Sequence, residues 1–198
     1  MGLSLSLALL TLPAGCAAPP VKLYTLGGPA IAAGAAPAAD APFAPSTPIV
    51  EVRRVALPDY LDTQDIVVRR GNQIDRSSEG RWSSRLSIGA TDLIAARLAA
   101  LRPDMLVTGQ PQVTPPSFRL AIDISRLDVS ASGTVALEAN WTIVPKGEDL
   151  PITHGRASLS EEGAVATDEE VVALTDAILD RLAGRIVMDF QSVAAKSP

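Results

Sequence analysis

The 198-residue chain contains one cysteine, Cys16, and one histidine, His154. A disulfide within the chain is therefore excluded, and a metal site built from Cys and His ligands is not expected. We predict neither a metal nor a cofactor. Aromatic residues make up only 4% of the chain, so Leu, Val, Ile and Ala must build the core. The net charge of −5 comes without a Lys/Arg cluster, which argues against a nucleic-acid partner.

No apolar run reaches the length of about 20 residues that a membrane-spanning helix requires. The run at residues 3–14 is shorter, carries no charge and leads into Ala14, Gly15 and Cys16. A short apolar run followed by small residues is typical of a secretory signal peptide. The alternative is that Cys16 is a buried core thiol, which would behave as a small apolar residue. A core cysteine, however, has no reason to follow a secretory run.

The order Ala-Gly-Cys resembles the lipobox of bacterial lipoproteins, although Pro13 stands where Leu is usual. The resemblance implies that residues 1–15 are a removable signal peptide and that Cys16 is acylated, for example with palmitate. Several acyl chains anchor a protein stably, because each buried CH₂ contributes about 0.8 kcal/mol. Lipoproteins retained at the inner membrane often carry Asp directly after the cysteine. Here that residue is Ala17, which favours the periplasmic face of the outer membrane over the inner membrane.

The segment after Cys16 changes character twice before the main folded region begins. Residues 21–26, VKLYTL, could form a short strand. In residues 27–48, 17 of the 22 residues are Ala, Pro or Gly, which leaves too little side chain to bury and indicates a tether or a long loop. We therefore predict a lipid-anchored segment over residues 16–48 and one folded domain over residues 49–198.

The first half of the domain shows strand and then helix patterns. A strand runs from residue 49 to 57, and its apolar phase changes after Arg53-Arg54, which indicates a β-bulge. A hairpin with Gly71-Asn72 as its turn follows. Apolar residues then recur at steps of three and four, which predicts an amphipathic helix over residues 82–102. They are Trp82, Leu86, Ala90, Leu93, Ile94, Leu98 and Leu101.

The second half alternates apolar and polar residues over 117–129, 134–144 and 152–160, which predicts three half-buried strands. Thr167 and Glu170 form a capping box that opens a long final helix. Two helices can cover only one face of a sheet. The sequence therefore predicts an α+β two-layer sandwich, in the order strands, helix, strands, helix. Its sheet is mostly antiparallel, with both helices on one face.

Residues 57–86, LPDYLDTQDIVVRRGNQIDRSSEGRWSSRL, contain the most informative motif. The stretch resembles the PqiC-like family of ABC-type transport auxiliary lipoproteins. Trp141 lies in LEANWTIV, residues 137–144, which is similar to a later strand of the family. Thr63 departs from the pattern, where the family often has Arg. The matching motif residues are Leu57, Pro58, Tyr60, Leu61, Asp62, Ile66, Val67, Arg69, Arg81, Trp82 and Leu86.

This resemblance implies a non-catalytic, membrane-anchored accessory protein. Its partners would be an MCE-domain protein and an ABC permease and ATPase, which together move lipids or other hydrophobic molecules between the inner and outer membranes. The resemblance also leaves open whether the protein forms a homo-oligomer. The alternative is an independent structural or assembly lipoprotein of the cell envelope. His154 could serve as a catalytic base, but no G-x-S-x-G motif accompanies it, so we expect a half-exposed strand histidine.

The loop after Pro58 supplies the candidate partner-facing residues Asp59, Tyr60 and Asp62. Full burial of either carboxylate without a partner would be very costly. Tyr60 suits an interface, because its ring is large and apolar and its tip is polar, but core packing is an equally open alternative. Trp82 is expected in the core because it falls on the helix stripe, with contact to a partner as the alternative.

Overall fold

The computed structural model describes residues 20–27, 43–147 and 150–194, so Cys16 lies outside the described residues. These described residues form eight strands and two helices, which confirms the predicted α+β class. In chain order the elements are β1 (Lys22–Tyr24), β2 (Ile49–Val52), β3 (Asp65–Arg70), β4 (Gln73–Trp82), α1 (Leu86–Leu101), β5 (Leu106–Thr108), β6 (Phe118–Val129), β7 (Thr134–Pro145), β8 (Thr153–Glu162) and α2 (Asp168–Ala194).

The described strands form two sheets, one with the order β1-β4-β3 and one with the order β5-β2-β6-β7-β8. The predicted antiparallel neighbours are all present: β3 with β4, β6 with β7, and β7 with β8. Strand β1 pairs in parallel with β4, and β2 pairs in parallel with both β5 and β6. These parallel pairs join segments that are distant in sequence. The local alternation of residues predicted a mostly antiparallel sheet because it carries no sign of them.

The core lies between the five-stranded sheet and the helix layer. Helix α2 packs against α1, β7 and β8, and α1 also packs against β5. Strands β6 and β7 alternate buried and more exposed residues, as the sequence predicted. Phe118 of β6 meets Phe190 of α2 edge to face, with ring centroids 6.0 Å apart. The opposite face of β6, β7 and β8 is largely polar and lacks a helix in the described part of the chain.

Trp82 is buried, as expected, but it is the last residue of β4 and not part of a helix. The predicted helix start at residue 82 is therefore wrong, and α1 begins at Leu86. The Trp82 N–H donates to the Gln64 carbonyl at 2.8 Å, and the Ser83 N–H donates to the Tyr24 carbonyl at 2.7 Å. Backbone groups on both sides of β4 thus hold this stretch extended. The four-residue step from Trp82 to Leu86 gave the false helix signal.

The predicted bulge after Arg53 is confirmed by the hydrogen bonds to β6. The N–H groups of Arg53 and Ala56, three positions apart, donate to β6 carbonyls only two positions apart, at 2.8 and 3.0 Å. One extra residue is therefore accommodated, as in a β-bulge. The N–H of Val55 turns away from the sheet and donates to the Thr91 hydroxyl of α1 at 2.9 Å.

The short strand predicted in VKLYTL is also present, as β1. Beyond it, Leu26 lies beside Gly89 of α1, and the Gly27 N–H donates to the Asp176 carboxylate of α2 at 3.1 Å. Residues 22–27 are thus held by the three-stranded sheet and by both helices. The Ala/Pro-rich stretch begins only after this fixed point.

The capping box of α2 forms as predicted. The Glu170 N–H donates to the Thr167 hydroxyl at 3.3 Å, and the Thr167 N–H donates to the Glu170 carboxylate at 2.9 Å. These bonds satisfy donors that the first helical turn cannot pair internally. Among the described residues, no helix has both the length and the apolar character needed to cross a bilayer.

Replacement of Gly155 with Ala is expected to destabilise the fold, because a Cβ atom there would overlap the Trp141 ring. Overpacking of this kind typically costs about 1–3 kcal/mol. Gly147→Ala is the matched control, since a Cβ at that position would meet nothing within 4 Å. Urea denaturation should show a lower midpoint for Gly155→Ala alone. Equal midpoints for both variants would contradict the close packing of β8 on Trp141.

Candidate functional site

The family-like motif begins with a tight turn, which we call the motif turn (residues 58–62). The Pro58 carbonyl accepts the N–H groups of Leu61 at 2.9 Å and Asp62 at 3.1 Å. Leu61 is buried in the core, whereas Tyr60 is 39% exposed. The turn begins two residues after the bulge that follows β2. The backbone hydrogen bonds of that bulge to β6 therefore fix the position of the turn.

Tyr60 lies on the surface and packs against Arg69 of β3. The Arg69 guanidinium lies 5.7 Å from the centre of the Tyr60 ring, in cation–π geometry. The Tyr60 hydroxyl donates to Asp128 at 3.3 Å and accepts a hydrogen bond from Arg69 at 3.3 Å. The core alternative for Tyr60 is therefore wrong. Its ring is held in place while a large part of its surface remains accessible.

Asp128 of β6 is the centre of a charged cluster that we call the motif network (Tyr60, Arg69, Arg126 and Asp128). Its side chain is only 12% exposed and accepts charged hydrogen bonds from Arg69 Nε at 2.8 Å and Arg126 Nε at 2.9 Å. Burial opposes ionisation of Asp128, but the two guanidinium groups outweigh it and hold its pKa below the usual range. Burial and the nearby Asp128 charge raise the pKa of Tyr60.

Asp62 serves a different purpose, at the start of α1. Its carboxylate accepts the Ser87 N–H at 3.2 Å and lies 3.4 Å from the Arg85 guanidinium. Burial works against the charged form, yet the hydrogen bonds from Ser87 and the charge of Arg85 lower the pKa of Asp62. A carboxylate at this place satisfies a free backbone N–H and complements the helix dipole. Of the three candidate residues, Asp59 and Tyr60 are exposed, and Asp62 is engaged within the domain.

The other motif residues mainly build the domain. Trp141 is buried, and its indole N–H donates to Asp189 at 2.9 Å. Thr63, which replaces the usual Arg, accepts the Asp65 N–H at 3.1 Å. Leu57 packs at the edge of the core, and Leu61, Ile66, Trp82 and Leu86 lie inside it. The motif thus fixes the turn, the hairpin and the start of α1 relative to one another.

Sequence reasoning missed Asp128 and Arg126. They stand two positions apart on the polar face of β6, and that charged pair was the only available signal. The contact of Asp128 with Arg69 joins two strands separated by about 60 residues, which spacing does not reveal. His154 is exposed on β8, with its ring Nδ1 3.1 Å from the Thr142 hydroxyl. The described residues contain no group of three His, Cys, Asp or Glu residues that could hold a metal ion.

A groove of about 570 Å³ opens where the β3–β4 hairpin, the β6–β7 turn and the connection from β8 to α2 meet. Ile66, Val68 and Val171 supply apolar lining, and an ion pair of 2.6 Å between Arg70 and Asp75 stands beside them. The groove combines segments from three parts of the chain, so no single stretch of sequence indicated it.

Replacement of Asp128 with Asn is expected to lower the free energy of unfolding at pH 7 by about 1–3 kcal/mol, because Arg69 and Arg126 lose a charged acceptor that is itself largely buried. The pKa of Asp128 is depressed in the folded state. Its contribution is therefore complete above the unfolded-state pKa of about 3.9 and is lost as the pH falls through the folded-state value. Urea denaturation between pH 7 and pH 2.5 measures both effects.

The matched control for this change is Asp59→Asn, which alters an exposed carboxylate outside the motif network. Its stability should follow the wild-type pH profile. For Asp128→Asn, the difference from wild type should shrink as the pH falls below about 3.9, because the unfolded wild-type chain then binds a proton at Asp128 more readily than the folded protein does. A difference that stays constant down to pH 2.5 would show that the charge of Asp128 does not stabilise the fold.

Comparisons with known proteins agree with this architecture. One solved structure, described as an uncharacterized protein, has a TM-score of 0.68 at 17% identity, covering 87% of this chain and 99% of its own. A DUF330-family protein from Xanthomonas campestris has a TM-score of 0.53 at 16% identity, covering 73% of this chain and 86% of its own. At these identities the likeness shows the fold alone. A search of curated proteins gave no match.

The family comparison extends over most of the described fold. The family model for the ABC-type transport auxiliary lipoprotein component matches residues 24–187. The matched range starts in β1, includes the motif turn and all partners of the motif network, and ends within α2. The chain therefore belongs to the family of ABC-type transport auxiliary lipoprotein components.

Proposed function

We propose that this protein is a non-catalytic accessory lipoprotein of an MCE/ABC-type envelope transport system that moves lipids or other hydrophobic molecules between the inner and outer membranes. The family match over residues 24–187 is the observation that supports this most directly. The features at the motif also suit a binding role. The turn is closed by two backbone hydrogen bonds, and Tyr60 is held in place with part of its ring exposed. The charged groups of the motif network pair with one another.

The proposed docking surface is the exposed part of the motif turn, with Asp59 and Tyr60 at its centre. Tyrosine is a frequent interface hot spot, because it supplies a large contact area at little cost in conformational entropy. Here Arg69 and Asp128 already fix the Tyr60 ring, so a partner would not have to order it. Asp62 acts in this proposal as a positioning residue, because it joins the turn to the start of α1.

Removal of the Tyr60 ring is expected to weaken binding without unfolding the domain. The double change Asp59→Ala, Tyr60→Ala should reduce co-purification with the MCE-domain protein by at least about tenfold, or roughly 1.4 kcal/mol. Tyr60→Phe is the matched variant, since it keeps the ring over Arg69 and loses only the hydroxyl contacts. It should bind nearly as well as wild type. The measurement is quantitative recovery of the MCE-domain protein from solubilised membranes.

Ile152→Ala serves as a surface control, because Ile152 is exposed beside β8 and outside the motif turn. If this change lowers recovery as much as the double variant does, the motif turn is not the docking surface. If wild type recovers neither an MCE-domain protein nor an ABC permease, the alternative applies: an independent structural or assembly lipoprotein of the cell envelope.

The anchor proposed for this function is a set of acyl chains on Cys16, which would hold the protein at the periplasmic face of the outer membrane after removal of residues 1–15. Cys16→Ser should remove the acylation site, so the protein is expected in the soluble periplasmic fraction or as an unprocessed precursor. Fractionation and intact-mass analysis measure this. An unmodified, uncleaved Met1 terminus on the wild-type protein would contradict the anchor.

A further inference from the structure

Strand β1 has two faces of different character. Tyr24 is half-buried and packs against the core, and Lys22 lies 3.8 Å from Glu79 of β4. Val21 and Leu23 are 51% and 69% exposed. Because successive strand residues point to opposite sides, Leu23 points away from the side of Tyr24, and Val21, the residue directly before the strand, is exposed as well. Two large aliphatic side chains that are exposed to water at an edge strand suggest a surface that contacts another molecule or a membrane.

The length of chain before β1 indicates what covers it. Six residue steps separate Cys16 from Lys22, which span at most about 22 Å when fully extended. For comparison, the 27 residues of α2 alone are about 40 Å long. A domain held at Cys16 must therefore keep β1 closer to the membrane than most of its other surface.

The position of the Ala/Pro-rich stretch strengthens this argument. The fold takes hold of the chain at β1, and Gly27 is bonded to α2. Residues 28–42 follow this fixed point, so they join two parts of the domain and add no length between Cys16 and the fold. Only a long tether placed before β1 would let the domain turn freely above the membrane.

We propose that the outward side of β1, with Leu23 and the preceding residue Val21, rests against the phospholipid surface in which the protein is anchored. This inference relies on the anchor at Cys16 from the proposed function. The contact is apolar in nature, because the one basic side chain of β1, Lys22, is paired with Glu79. The surface should therefore not require anionic lipid, and a zwitterionic bilayer is sufficient to test it.

The test uses the chain from Cys16 onward, which keeps every residue that the structure describes. Its only thiol is coupled to a maleimide lipid in phosphatidylcholine vesicles, with or without bromine atoms on the acyl chains near the headgroups. Leu23→Trp places a fluorescent reporter on β1, and Ser158→Trp places one on the exposed face of β8, which belongs to the other sheet. The parent protein, whose Trp82 and Trp141 are buried in its core, supplies the baseline.

Brominated chains should quench about half or more of the added emission of Leu23→Trp, because quenching requires contact with the upper acyl region. Ser158→Trp should be quenched no more than the parent. Val21→Trp repeats the test at the exposed residue directly before β1 and replaces Leu23→Trp if that variant fails to fold. Equal quenching at positions 23 and 158 would overturn the proposal.

Chemical coupling separates this inference from the anchor itself. A protein that is not acylated in cells can still show the lipid contact of β1 in the vesicle assay. Conversely, Cys16 can be acylated in cells while Leu23→Trp stays unquenched in vesicles. In that case the anchor stands and the orientation proposed for β1 is wrong.

Discussion

Arg69 holds the two sheets together, and the arrangement of the motif depends on this residue. Its backbone forms a parallel bridge to Ser130, the residue directly after β6, and its carbonyl accepts the Ala131 N–H at 2.9 Å. Its side chain reaches Asp128 of β6 at 2.8 Å. The three-stranded sheet is thereby fixed to the five-stranded sheet by backbone and side chain at one place. Without the Asp128 charge, the guanidinium would lack its closest acceptor in a partly buried site.

The motif turn is held in place by contacts with this junction and with α1. Tyr60 leans on Arg69, while Asp62 receives the Ser87 N–H at the helix start. The two residues are neighbours on one turn but lead to different parts of the domain. A change at Asp62 would therefore disturb the helix and the position of Tyr60 together. For this reason Tyr60→Phe, which leaves the turn intact, separates a binding role from a structural one more clearly than any change at Asp62.

Those parts of the fold that rest on local chemistry could be predicted from the sequence. The Gly71-Asn72 turn, the capping box at Thr167 and Glu170, and the bulge after Arg53 each depend on residues close together in the chain, and all three form. The strand alternation of β6 and β7 was also readable, because one face of each is buried.

The remaining features depend on contacts between distant segments. Trp82 and Leu86 are four positions apart, and this spacing fits a helix even though the first residue ends a strand. The parallel partners of β1 and β2 cannot be read from either strand alone. The candidate site also depends on contacts between distant segments. Asp59 and Tyr60 were found through their loop, but the surface position of Tyr60 depends on Asp128, which lies 68 residues further along.

The strand order also bears on how the two proposed surfaces could work at once. Strands β1 and β3 are the opposite edges of the three-stranded sheet, with β4 between them. The outward residue of β1 and the Tyr60–Arg69 contact therefore belong to different edge strands of one small sheet. Contact of β1 with lipid and contact of Tyr60 with a protein partner would therefore use different strands of that sheet. Because β4 is hydrogen-bonded to both strands, the orientation of β1 on a membrane would also set the direction in which the motif turn faces.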